Sequence, residues 1–264
     1  MIGFGELRRL SVQWRVDLAA VERAYAMDWL LKGIFDHAAL SRALVLRGGS
    51  ALRYALCADY PIAEDPEFLV AEPLDDAAAR DALTDALRAA AASGLRFLLT
   101  DLARGSAKVE YTGPLGRRSA AQPRLALAFV VGRTRLEPVR APLIHPFSDA
   151  CAATVASISL DEFVAERIAS LAQTPRVRDV FDLWFALTHA AGRIDPARAA
   201  ALAREIAPVE GTALPRMDAL FRPAARAALE RAWDKALRRA PDHPPFAQVE
   251  RALTDALEDF IANK

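Results

Sequence analysis

Leu18, Val21, Tyr25 and Trp29 recur at spacings of three and four. They lay one apolar stripe along the chain, which predicts a long amphipathic helix from about Gln13 to Asp36. The apolar run Ala43-Leu44-Val45-Leu46 is too short for a helix and stops at Arg47-Gly48-Gly49-Ser50. That pattern predicts a strand and then a turn. Ala51 to Leu56 returns to a helical pattern, with Ser50 as the expected N-cap. A second strand is expected over Glu67 to Ala71, and Asp75 and Asp76 open a helix that Gly94 closes. Leu95–Leu99, Lys108–Thr112 and Arg124–Val131 read as strands, separated by Arg104-Gly105-Ser106 and by Gly113-Pro114-Leu115-Gly116. From Ser159 onward the pattern is helical, over Ser159–Gln173, Arg176–Ala190, Pro196–Ile206, Pro223–Arg239 and Phe246–Asn263. The expected architecture is an α/β domain over residues 1–155, followed by an all-α helical domain over 156–264.

Composition narrows this without changing it. With 264 residues, 53% hydrophobic and 26% charged, the chain is ordinary globular protein rather than disordered or fibrous. Lys+Arg and Asp+Glu are 34 each, so the formal charge is zero, which excludes a general nucleic-acid coat. Two cysteines, Cys57 and Cys151, cannot build a disulfide framework or a four-ligand zinc site. With an Arg-rich composition they point to a reducing cytosol, so a cytoplasmic protein is expected. Met1 to Arg9 lacks a leader pattern, and the longest apolar run, Leu125 to Val131, falls short of the ~20 residues of a membrane span. No membrane partner is expected.

The zero net charge conceals a division. Between Asp59 and Asp85 there are nine acids and one base, Arg80, whereas between Arg96 and Arg140 there are nine bases and three acids. One reading is two solvated faces that pair with each other. The other is a metal-binding acidic edge beside a phosphate track, with Arg117, Arg118, Arg133 and Arg135 as the expected RNA contacts. The four histidines, His37, His145, His189 and His243, are scattered and carry no expected metal or acid–base role.

Three stretches can carry chemistry. At Gly48-Gly49-Ser50 a strand ends and a helix starts, so backbone amides and a hydroxyl form a ready anion site, or simply a turn. Asp65 and Glu67 are two apart, which on a strand puts both on one face, where they could hold a divalent metal. Pro66 between them favours a loop or an edge strand. Asp179 and Asp182 are three apart on one helical face with Arg178 beside them, amid Val180, Phe181, Leu183 and Trp184. They are either part of a site or a structural Arg–Asp bridge between two helices.

The order of these stretches resembles the AbiEii/AbiGii-type toxins, nucleotidyltransferase-fold proteins that include the MenT toxins. The resemblance runs from about Glu22 to Leu187. Val21-Glu22-Arg23-Ala24-Tyr25 is similar to the family's Glu-Lys-Asp-Tyr helix start, and Tyr111-Thr112-Gly113-Pro114-Leu115-Gly116 to its Tyr-x-Gly-x-Leu-Gly strand end. The resemblance implies a mixed-sheet nucleotidyltransferase-like domain, an NTP substrate, Mg2+, an RNA acceptor such as tRNA, and a cognate antitoxin. It assigns the nucleotide to Gly48, Gly49, Ser50 and Arg167, the metal to Asp65 and Glu67, and catalysis to Asp65, Glu67 and Asp179. The chain also departs from the family. Its second metal-site acid is Glu67 rather than aspartate, and the lysine after Glu166 is Arg167. The third-carboxylate position aligns with Ala128, or in another alignment with Glu110. Three functions follow: an active transferase, a degenerate pseudoenzyme that binds nucleotide, RNA or a partner, or an unrelated helical binding protein.

Overall fold

The computed structural model describes residues 1–61, 65–116, 122–173, 175–206 and 221–262. The chain divides into two compact units, Met1–Ile158 and Ser159–Lys264.

In the first unit the expected long helix is two helices, α1 (Phe4–Trp14) and α2 (Leu18–Asp36). Arg15 takes the left-handed conformation at φ 53° and ends α1, and the Asp17 side chain accepts a hydrogen bond from the Ala20 amide and starts α2. The interruption is set by this capping pair, which an apolar stripe does not report. After α2 come α3 (Ala38–Ala43), β1 (Leu44–Arg47), the short helix α4 (Gly48–Ala51), β2 (Glu67–Val70), α5 (Asp76–Ala90), β3 (Arg96–Ala103), β4 (Ser106–Thr112) and β5 (Arg124–Val131). Two further strands, β6 (Val139–Pro142) and β7 (Thr154–Ser157), complete the unit.

The seven strands form one sheet in the order β3-β4-β5-β2-β1-β7-β6. It is mixed: β1 runs antiparallel to β2 and parallel to β7, and β2 runs parallel to β5. α2 is buried along most of its length, with Val21, Tyr25, Leu30, Leu31 and Ile34 in the core beside Leu46, Phe68 and Leu87. This is the mixed α/β architecture expected from the sequence. β6 and β7 were not expected: Val139-Arg140-Ala141-Pro142 is a proline-ended edge strand, and β7 is a short alanine- and serine-containing segment.

The second unit is helical, as expected, with α6 (Leu160–Gln173), α7 (Val177–His189), α8 (Pro196–Ile206), α9 (Pro223–Ala236) and α10 (Phe246–Ala262). Its core holds Phe163, Phe181, Leu183, Trp233 and Leu253. The buried Trp233 indole donates to the Pro244 carbonyl at 2.9 Å, so its one polar atom is satisfied.

Candidate functional site

β1 ends where Gly48 takes φ +61°, a backbone conformation that suits glycine and turns the chain sharply into α4. The helix begins at Gly48 with Arg47 at the N-cap, so Ser50 lies inside the first turn and is not the expected cap. Its hydroxyl, 2% exposed, donates to the Arg47 carbonyl at 2.7 Å and accepts from the Glu67 amide at 3.0 Å. Ser50 therefore pins the β1–α4 turn to the first residue of β2. α4 then widens into one π-helical turn over Leu52–Leu56, closed by the Cys57 amide on the Leu52 carbonyl.

Asp65 sits just before β2. Its Oδ1 accepts from the Ala126 amide of β5 at 3.0 Å and pairs with the guanidinium of Arg23 on α2. Arg23 also donates to the Arg124 carbonyl, so one arginine joins α2, Asp65 and the β5 backbone. Glu67 lies opposite Arg47 in the β1–β2 register, with the Arg47 Nε 3.4 Å from its Oε1. In the β2–β5 register Glu67 stands beside Ala128. The strand neighbour that would offer a third carboxylate offers a methyl group. Glu110 does not replace it: Ala128 is paired across β4 with Ser106, and Glu110 is four residues further on, about 13 Å of strand. Glu110 is instead bound to Arg124 at 2.7 Å.

Among the described residues, the groups gathered here do not complete a two-metal centre. Such a centre needs several oxygen donors converging on two cations. Here two carboxylates face two arginines, and no group of three or more His, Cys, Asp or Glu suited to a metal occurs among the described residues. A cavity of about 770 Å³ in this unit is lined by Leu44, Val70, Leu83, Arg104 and Phe129 among others. It lies at the other end of β1 and β2 from Arg47 and Glu67.

The helix-start and strand-end motifs meet in space. The carboxylate of Glu22, 1% exposed, accepts the Leu115 amide at 2.6 Å beneath the Gly113-to-Gly116 turn. Burial pushes the Glu22 carboxyl up, and the Leu115 bond offsets that only in part. A Cβ at Gly113 would come within 2.7 Å of the Glu22 Oε1, so any larger residue there forces the Glu22 side chain to shift.

Beside this lies a polar network that the sequence did not signal. His145 sits between Asp28 and Asp149, at 2.8 Å from Nδ1 and 3.0 Å from Nε2. Tyr25 donates to Asp149 at 2.6 Å, and Asp28 is completely buried. The one local hint was Tyr25 and Asp28, three apart on α2 and thus on one face. The network braces α2 against the 144–149 segment.

In the second unit Arg167 on α6 pairs with Asp179 at 3.0 Å and approaches Asp182 at 3.5 Å, both on α7. Ser170 donates to the other Asp179 oxygen at 2.8 Å. The Arg–Asp bridge between two helices is therefore present. Arg133 and Arg135 are exposed, whereas Arg117 and Arg118 lie outside the described residues.

No curated protein sequence matches the chain. Solved structures share its fold, among them the following three. JHP933 from Helicobacter pylori is 12% identical with a TM-score of 0.62, over 92% of each chain. The nucleotidyltransferase toxin MenT4 from Mycobacterium tuberculosis H37Rv is 18% identical with a TM-score of 0.55, over 93% of each chain. A putative nucleotidyltransferase from H. pylori is 13% identical with a TM-score of 0.56, over 92% of this chain and 95% of that one. The family described as "Nucleotidyl transferase AbiEii toxin, Type IV TA system" matches residues 29–259, a span that holds the Gly48-Gly49-Ser50 turn, Asp65, Glu67 and both helices of the Arg167–Asp179 pair. The chain belongs to the AbiEii nucleotidyl transferase toxin family.

Proposed function

We propose that this protein is a nucleotide-binding member of a type IV toxin–antitoxin system in which metal-dependent nucleotide transfer is weak. The NTP lies at the Gly48-Gly49-Ser50 turn and beside Asp65 and Glu67. An RNA such as tRNA is the acceptor or bound ligand, held by Arg117, Arg118, Arg133 and Arg135. An antitoxin is the protein partner, and the cytoplasm, where NTP and tRNA occur together, is the place of action. The family match supports the nucleotide, and Arg167 and Asp179 carry the roles that the family resemblance gives them.

The observation that favours weak transfer is the pairing of Glu67 with Ala128. Nucleotidyl transfer is mainly positioning and charge stabilisation, so a missing metal ligand costs rate directly. Glutamate in place of aspartate also moves the carboxylate outward by a methylene, more than the ~0.5 Å such sites tolerate. The second reading, an active transferase, has the family's own description in its favour.

Transfer of labelled NTPs to bulk tRNA, with Mg2+ or Mn2+, separates the two. Weak labelling by the natural chain, raised by Glu67→Asp together with Ala128→Asp, is the expected result. Robust labelling by the natural chain, abolished by Asp65→Ala, establishes the active transferase instead.

A further inference from the structure

We propose that Arg23 stands where a metal ion would and that the site takes its NTP as the free polyanion, without a divalent cation. The inference rests on the nucleotide reading above and concerns the form in which the nucleotide is bound.

Two bare carboxylates carry a charge of −2 and draw in a dication while repelling phosphate. In this site each has an arginine: Arg23 pairs with Asp65, and Arg47 faces Glu67. Among the described residues these four groups sum to zero, which weakens both the attraction for a metal and the repulsion of a triphosphate. Arg23 is also well anchored. It is only 17% exposed, it rises from the buried helix α2, and it donates to the Arg124 carbonyl as well as to Asp65. Asp65 in turn is held by the Ala126 amide. A cation that takes both Asp65 oxygens must displace a guanidinium fixed on two sides, because Oδ1 already holds Arg23 and the Ala126 amide. Ala128 beside Glu67 offers no oxygen that would compensate for that displacement. Guanidinium groups, moreover, are well suited to recognise phosphate oxygens directly.

The test uses the full chain and two independent titrations. In the first, ATP, GTP, CTP and UTP are titrated calorimetrically in EDTA and then in Mg2+. In the second, Mn2+ alone is titrated and followed by electron paramagnetic resonance. The natural chain is expected to bind at least one NTP in EDTA to within about twofold of its affinity in Mg2+. It is expected to show no Mn2+ site that depends on Asp65. Arg23→Gln should weaken binding in EDTA by about tenfold and create Mn2+ binding that a further Asp65→Asn removes. NTP binding that requires Mg2+, or a Mn2+ site in the natural chain that Asp65→Asn abolishes, overturns the proposal and leaves the nucleotide reading standing. Absence of NTP binding in both conditions overturns both. The natural chain and Asp65→Asn decide the question even where Arg23→Gln does not fold.

Discussion

Two carboxylates clasp one imidazole in the first unit, and that arrangement sets how His145 titrates. Burial opposes the charged ring, but Asp28 and Asp149 outweigh it and hold His145 above its ordinary value of 6.5. For Asp149 burial also works against the charged form. The Tyr25 hydroxyl and His145 prevail, and its carboxyl is held below the usual range. The signs are opposite. A raised histidine contributes stability that is complete below its unfolded value and is lost as pH rises through the folded one. A lowered aspartate contributes stability that is present above its unfolded value and is lost as pH falls through the folded one. Thermal unfolding followed upward in pH from about the ordinary histidine value should therefore show a falling Tm as His145 deprotonates. His145→Gln should flatten that limb and cost about 1–3 kcal/mol at the acid end, because it removes the charged hydrogen-bond partner of the buried Asp28 and leaves only the field of Arg53 to oppose its charge. A Tm that declines equally in the variant contradicts this.

Among the elements, the turn between β4 and β5 depends on α2. Gly113→Ala drives a methyl group against the Glu22 carboxylate, which cannot retreat without losing the Leu115 amide. The expected cost is about 1–3 kcal/mol, read as a lower urea midpoint with an unchanged slope. This contact joins two motifs that contributed to the family resemblance, so the sequence displayed both partners without showing that they touch. The same holds for much of the site. β1, β2, α5, β4 and β5 were legible because apolar runs ended at glycine, proline or paired acids. Gly48, Ser50, Asp65 and Glu67 were legible because they lie close along the chain. Arg23 and Asp65 are 42 positions apart, and their pairing is a product of the sheet and α2 together. His145 is 117 positions from Asp28 and had no pattern to announce it. β6 and β7 escaped notice because their pairing, not their composition, makes them strands.

At the scale of the whole molecule, the division between acidic and basic stretches is partly neutralised from within. Lys108 pairs with Asp101 at 3.1 Å and Arg124 with Glu110 at 2.7 Å, both inside the basic stretch. RNA affinity should fall as salt rises. Neutralising Arg117, Arg118, Arg133 and Arg135 should make that dependence shallower, by about 0.7 in slope for each phosphate of a single strand that no longer meets an arginine. Affinity independent of salt, or unaffected by the four substitutions, removes this stretch as an RNA surface.

The order of the sheet also bears on time. β1 is flanked by β2 and by β7, and its pairing with β7 joins Leu46 to Ser157. β2 is flanked on its other side by β5, joining Glu67 to Ala128. The strands that carry Arg47 and Glu67 thus wait for partners translated long after them. At about 5–20 residues per second the interval from Ser50 to Ser157 is roughly 5–20 seconds. Pairings this distant in sequence are slow to form even in a finished chain. A nascent copy therefore spends most of its synthesis before Arg47 and Glu67 can be held between their final strand neighbours.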